Sequence, residues 1–219
     1  MELLLGVDEA GRGSVIGPLV VGGFLVRSDR LDALRDTGAK DSKALSPAAR
    51  ESVYAALASV GERRAIAIPP RTIDRHVVHG GLNRLEAAVF ARLVRELAPT
   101  RAMVDACDVN AHRFGALVRR LAGDRIPVVA RHHADRDDPV VGAASVVAKV
   151  RRDRAIAALR RRYGAGLGSG YPSDARTIAF LREACAPGGP PPPFIRRSWE
   201  TMKRVKPVPP ARTLDAFGP

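Results

Sequence analysis

The sequence predicts an α/β fold, a mixed β-sheet with helices packed on it, and three observations carry that reading. Two apolar runs near the amino terminus are joined by a glycine-rich turn. Apolar segments then alternate with segments of helical period. Finally, 46% apolar residues in a chain of 219 are enough for one full-sized domain with an extension.

Leu3 to Val7 reads as a short strand ending on Asp8 and Glu9, and Leu19 to Val26 as a second strand after the Gly11 to Gly17 turn, with a hairpin as the simplest joint. Ser46 caps a helix that has Pro47 at its first position and continues through Val53, Ala56 and Leu57. Arg64 to Ile68 is the next strand. Leu82, Leu85, Val89, Leu93 and Leu97 recur at three- and four-residue intervals, which makes a helix with one apolar face. Arg101 to Ala106, Ala111 to Leu121 and Ile126 to Ala130 then read as strand, helix and strand, a βαβ unit.

Val140 to Tyr163 forms one long helix, with Gly142, Ala143, Ala144 and Ala148 allowing close packing. Ser173 or Asp174 caps a further helix ending near Cys185. Five prolines and two glycines in Pro187 to Pro193 make a linker, Phe194 to Val205 offers one short helix, and a mobile tail follows from Lys206. The chain thus divides into a main domain over 1–185, a linker with a helical extension over 186–205, and a tail over 206–219.

Lys plus Arg number 36 against 23 Asp plus Glu, a net charge of +13, which favours a polyanionic partner such as nucleic acid or an anionic membrane surface. The longest apolar run, Val15 to Val26, has twelve residues. That is short of the roughly 18 that span a bilayer, so no membrane helix is expected. Met1 to Leu5 lacks a cationic start, and Asp8 and Glu9 interrupt the apolar stretch, which excludes a signal peptide and predicts a cytoplasmic protein. Cys107 and Cys185 form no Cys-x-x-Cys pair, so a reducing compartment fits and a cysteine zinc site does not.

Four carboxylates fall at strand ends or just beyond: Asp8, Glu9, Asp105 and Asp135. Taken singly, each is ordinary surface or a cap. Clustered, they repel unless cations neutralise them, and hard divalent ions with oxygen ligands are the expected remedy. Two such ions about 4 Å apart stabilise both the attacking and the leaving oxygen in phosphodiester hydrolysis, so a basic chain carrying this set reads as a nuclease. The block Asp8-Glu9-Ala10-Gly11-Arg12-Gly13 strengthens that reading, because carboxylates, flexible backbone and a phosphate-binding cation stand side by side.

This block closely resembles ribonuclease HII, the type 2 ribonuclease H family. Asp41-Ser42-Lys43, Gly81-Leu82-Asn83, Val104-Asp105-Ala106, Ala134-Asp135, Ala144 to Lys149 and Gly168 to Asp174 are similar to family motifs in family order, over about residues 3 to 205. Gly170 to Asp174 and Ile195 to Trp199 are most similar to the archaeal and eukaryotic branch, with an archaeal single-chain enzyme as the first reading. The resemblance implies a ribonuclease H-like fold, with a five-stranded mixed sheet flanked by helices and a helical carboxyl-terminal extension.

It also implies a metal-dependent endoribonuclease that cuts RNA hybridised to or embedded in DNA. Asp8, Glu9, Asp105 and Asp135 would be the catalytic carboxylates binding Mg²⁺ or Mn²⁺, and the products would carry 3′-hydroxyl and 5′-phosphate ends. By the same resemblance Gly11, Arg12 and Gly13 meet the ribonucleotide 2′-hydroxyl, Tyr171 packs on the following deoxyribose, and Lys43, Ser145 and Lys149 contact phosphates. Lys149 to Arg162 holds seven cations and one acid, a net +6, which reads as a duplex-binding ridge.

His133 stands where the family has lysine, Asp137 and Asp138 compete with Asp135, and Asp108 competes with Asp105. The tail segment Thr213 to Phe217 is similar to a degenerate sliding-clamp box through Leu214 and Phe217, with Ala211 and Gly218 replacing two usual anchors. A monomer is expected. The competing readings are a structure-selective DNA nuclease, for which Arg12 and Tyr171 would be pointless, and a non-catalytic binding module, which would not need an intact carboxylate set.

Overall fold

The structure, a computed structural model, describes residues 1–39, 45–186 and 190–205. In chain order the elements are β1 (Leu3–Ala10), β2 (Leu19–Arg27), α1 (Leu31–Asp36), α2 (Pro47–Ala56), β3 (Glu62–Ile68), α3 (Pro70–Val77) and α4 (Leu82–Leu97). They continue with β4 (Arg101–Asp105), α5 (Ala111–Ala122), β5 (Val128–Arg131), α6 (Ala134–Asp137), α7 (Pro139–Tyr163), α8 (Ala175–Ala184) and α9 (Glu200–Val205). The strands form one five-stranded mixed sheet in the order β3-β2-β1-β4-β5. β1 to β3 make an antiparallel meander, with Leu3 opposite Arg27 and Ala10 opposite Val20. β1, β4 and β5 run parallel, and Leu4 stands opposite Arg101.

The side-chain alternation of β1 divides the core into two layers. Leu5 and Val7 point to one face and meet Phe90, Leu93 and Val94 of α4 and Phe114 of α5. There the Phe90 and Phe114 rings pack edge to face at 5.3 Å. Leu4 points to the other face and meets Ala143, Ala144 and Val147 of α7. Every residue of α7 from Val140 to Ala148 is buried, because this helix lies directly on the sheet. Its approach depends on Gly6 and Gly22, where an added Cβ would stand 2.3 Å from the Val140 carbonyl oxygen and 2.4 Å from that of Ala144.

The caps follow local chemistry: Ser46 caps α2, Asn110 caps α5, Asp138 caps α7, and Asp174 rather than Ser173 caps α8. The carboxyl-terminal extension differs from expectation, since α9 covers only Glu200–Val205. Phe194 instead lies in a turn closed by the Ile195 N–H to the Pro192 carbonyl, after which Ile195 bridges Ile16 and the Arg196 N–H donates to the Val15 carbonyl at 2.8 Å. Burying Phe194 and Ile195 against Val15, Ile16 and Ile156 outweighs the helical preference of that segment.

Candidate active site

Parallel β1 and β4 end side by side, Val7 opposite Val104, so Asp8 and Asp105 leave the same edge of the sheet. Asp135 arrives from α6, which begins after His133 turns the chain through a left-handed conformation. The Ala134 N–H donates to Asp105 Oδ1 at 3.1 Å and ties α6 to β4. One oxygen each from Asp8, Asp105 and Asp135 lies within 4.8 Å of the others.

Asp8 shares the α7 face with Gly6, and there the Ser145 hydroxyl hydrogen-bonds its carboxylate. The backbone N–H of Glu9 also donates to Asp8 Oδ1, at 2.7 Å. Burial pushes the Asp8 carboxyl up to about 6, and the charges of Asp105 and Asp135 add to that effect. Glu9 is half-buried and lies outside the three-oxygen group; burial, then the Asp8 and Asp105 charges, push its carboxyl well above the usual range. The donor set is carboxylate oxygen throughout, which suits a hard divalent cation. Cys107 does not compete, because burial and then the Glu9 charge push its thiol up to about 12, leaving it protonated.

The neighbouring acids have other tasks. Asp108 accepts hydrogen bonds from the Asn110 N–H, Asn83 Nδ2 and Arg113, which in that order hold its carboxyl down at about 2 and make it a turn residue. Asp138 Oδ1 accepts from the Val140 and Val141 N–H groups at the start of α7, and Asp137 is exposed.

Beside the carboxylates, the Gly11 to Gly17 loop is held by arginines. Arg12 turns inward to pair with Glu86 and donates to Asn83 Oδ1 at 2.7 Å. Arg196, fully buried, donates to the carbonyls of Gly17, Arg12 and Gly11 at 3.1, 2.8 and 2.7 Å. Gly11 has φ +84, and Gly13 is exposed with open space around it. The Val15 and Ile16 N–H groups donate to the Gly170 carbonyl at 2.8 and 3.1 Å, which joins the loop to the turn carrying Tyr171. Tyr171 is half-buried, with its ring over the Arg152 guanidinium at 4.4 Å.

Ser145 is fully buried and reaches the site through Asp8, while Lys149 is half-buried one turn further along α7. Lys43, Leu214 and Phe217 lie outside the described residues. The cationic ridge is narrower than its composition suggests: Arg152 is buried, Arg154 pairs with Glu51 at 2.5 Å, and Asp153 pairs with Arg50 at 2.6 Å. Arg151, Arg161 and Arg162 are exposed. Sequence reasoning missed Glu86 as Arg12's partner and the interior roles of Arg152 and Arg196. A carboxylate on the apolar stripe of α4, four residues after Leu82 and four before Phe90, was the signal for the first.

The sequence profile of the family described as Ribonuclease HII matches residues 5–202. The chain is 42% identical over 217 residues to ribonuclease HII of Cenarchaeum symbiosum (strain A), covering 99% of this chain and 100% of that one. Its fold matches the crystal structure of ribonuclease H2 from Pyrococcus horikoshii OT3 with a TM-score of 0.86 and 40% identity, over 93% of this chain and 97% of that one. The ribonuclease HII of a PCNA:RNase HII complex from Archaeoglobus fulgidus matches with a TM-score of 0.83 and 38% identity, over 90% of this chain and 95% of that one. No helix among the described residues is long and apolar enough to cross a membrane. Likeness over nearly the whole length, on a sheet whose edge gathers three acids, places the chain in the ribonuclease HII family, metal-dependent hydrolases that act on RNA–DNA hybrids.

Proposed function

We propose that this chain is an endonuclease that cuts the RNA strand of RNA–DNA hybrids and incises 5′ of ribonucleotides embedded in duplex DNA. Hydrolysis would follow a two-metal route and leave 3′-hydroxyl and 5′-phosphate ends. The convergence of Asp8, Asp105 and Asp135 within 4.8 Å, beside an anchored glycine loop, is the observation that carries this reading. These three acids with Glu9 would hold Mg²⁺ or Mn²⁺. When bound, such ions supply positive charge to the attacking and leaving oxygens.

The chain's own groups set the stage around that centre. Ser145 holds the Asp8 carboxylate, and Ala134 holds that of Asp105. Gly11 and Gly13 let backbone approach a sugar closely, and a 2′-hydroxyl both donates and accepts hydrogen bonds there. In this reading Arg12 serves the sugar contact through its backbone, since its guanidinium is engaged by Glu86 and Asn83. The Tyr171 face suits a deoxyribose, which lacks the hydroxyl, and Lys43 and Lys149 meet phosphates. The activity belongs to DNA replication and repair in the cytoplasm and is carried by a monomer with its catalytic domain over 1–185, an extension over 186–205 and a tail over 206–219. Leu214 and Phe217 offer that tail to a sliding clamp, a reading supported by the PCNA complex of the Archaeoglobus relative.

The test is incubation of the chain with a DNA duplex carrying one ribonucleotide, beside a uniform hybrid and an all-DNA control, with Mg²⁺, Mn²⁺ or chelator. Metal-dependent incision 5′ of the ribonucleotide, lost in Asp8→Asn, is the expected result. Binding without cleavage under either metal would sink the catalytic reading.

A further inference from the structure

α7 carries adjacent arginines with opposite fates. Arg151 is exposed, whereas Arg152 is only 5% exposed and lies on the same side of the helix as Ser145, seven residues earlier. A buried guanidinium is costly unless a carboxylate balances it, and an apolar side chain of similar volume usually fills such a space at lower cost. Here the guanidinium donates to a carbonyl instead, from Nη2 to the Ser169 oxygen at 3.1 Å, and its buried Nε has no hydrogen-bond partner. Stability alone therefore does not account for an arginine at this position.

What Arg152 touches does account for it. Its guanidinium carbon lies 4.4 Å from the centre of the Tyr171 ring, a cation–π distance. Its Nε and Cδ lie so close to Gly11 that an added Cβ would stand 2.4 and 2.5 Å from them. The same side chain thus contacts both elements assigned above to the sugars, the glycine turn for the 2′-hydroxyl and the tyrosine for the following deoxyribose. Tyr171, Arg152 and Ser169 line a groove of about 450 Å³ together with Arg154 and Arg160, where a nucleic-acid backbone has room to lie.

We propose that Arg152 is a positioning residue for ribonucleotide recognition, a spacer that fixes the distance and tilt between the Gly11 turn and the Tyr171 ring. It acts through those two groups and not through phosphate or metal. The inference rests on the sugar-reading assignment made under the proposed function. Its consequence is specificity: a ribose followed by deoxyribose uses both elements together, whereas the interior of a uniform RNA strand presents ribose at both positions and gains little from the tyrosine.

The experiment measures kcat/KM of the full chain on a single-ribonucleotide duplex and on a uniform RNA–DNA hybrid. Wild type is compared with Arg152→Met, Arg152→Lys, Tyr171→Ala and the Arg152→Met/Tyr171→Ala pair. Arg152→Met should lower the junction rate by ~10-fold and the hybrid rate by less than ~3-fold, with Arg152→Lys recovering part of the loss. The double variant should be little worse than Tyr171→Ala alone, since both changes remove one coupled contact. Thermal melting is followed in parallel, and if Arg152→Met does not fold, the lysine variant and its pair with Tyr171→Ala carry the same comparison. Equal loss on both substrates, or fully additive losses in the double variant, would overturn the role of Arg152 alone. A wild-type chain that cuts the uniform hybrid and never the junction would overturn the sugar-reading assignment, and this inference with it.

Discussion

Asp8 and Gly11 are near neighbours in sequence, yet the regions around them are built and balanced in opposite ways. The carboxylate cluster is assembled by the register of parallel β1 and β4, and its negative charges face one another. The Gly11 to Gly17 loop is held by Arg196 from the extension, which donates to three of its carbonyls, while Arg152 from α7 packs against Gly11 and the Tyr171 ring. In the first region geometry comes from the sheet and electrostatic strain is left for a cation to relieve. In the second, long-range hydrogen bonds supply both geometry and stability. Substitutions in the two regions should therefore move activity and stability in different combinations.

The largest expected effect is at Asp8. Asp8→Asn should lower cleavage by at least ~10³-fold, equivalent to ~4 kcal/mol in the barrier. The same change removes one of the facing negative charges, so the metal-free variant should melt at a higher temperature than wild type. Activity assays and calorimetry on one preparation test both signs; a variant that loses activity and stability together would show that Asp8 also holds the fold.

Arg196 should behave in the opposite manner. Arg196→Met leaves the Arg12 and Gly17 carbonyls without its donors and removes one of those to Gly11, at a cost of about 3 kcal/mol. Urea unfolding measures this directly. The three carboxylates should keep their arrangement, because no hydrogen bond from Arg196 reaches them among the described residues, so metal affinity should change far less than stability.

A pH series sharpens the contrast. Between its ordinary 3.8 and about 6, Asp8 binds more protons in the folded chain than in the unfolded one, so its contribution to stability falls as pH rises. The stability it contributes is fully present below 3.8 and lost as pH passes about 6. Metal-free wild type should therefore lose about 1–3 kcal/mol relative to Asp8→Asn on going from acid to neutral pH. Saturating Mg²⁺ should shrink that difference, because a bound cation favours the charged form. A difference that does not change with pH would mean that the carboxyl is not held up in the folded chain.

How much of this was legible in the sequence follows the same division. β1, β2 and β4 are short apolar runs bounded by turns, so the strands and their acidic ends could be read locally, as could the apolar stripe of α4. α3 has no counterpart among the elements expected from the sequence, although Pro70 at its first position is well suited to a first helical turn. Phe194 to Arg196 read as helix because its pairing with Ile16 is a contact between the two ends of the chain. Arg152 is one of seven cations between Lys149 and Arg162, and the signal that it turns inward is its spacing of four and seven residues from Ala148 and Ser145. For Arg196 no local signal exists, since its acceptors are carbonyls of the amino-terminal loop and any residue supplies a carbonyl.

The smallest expected effect lies outside both regions, on the exposed second half of α7, where charge is solvated. Arg161 is exposed there, whereas Arg154, also exposed, is paired with Glu51 in a two-hydrogen-bond contact at 2.9 and 2.5 Å. If this face tracks a nucleic-acid backbone through individual phosphates, Arg161→Gln should reduce the slope of log affinity against log salt by about 1. Arg154→Gln should change the slope less, because Glu51 already offsets its charge. Cleavage at low salt should fall only a few-fold in either variant, roughly the scale of one phosphate contact. Equal slope changes for the two arginines would show instead that the face acts as a diffuse positive field.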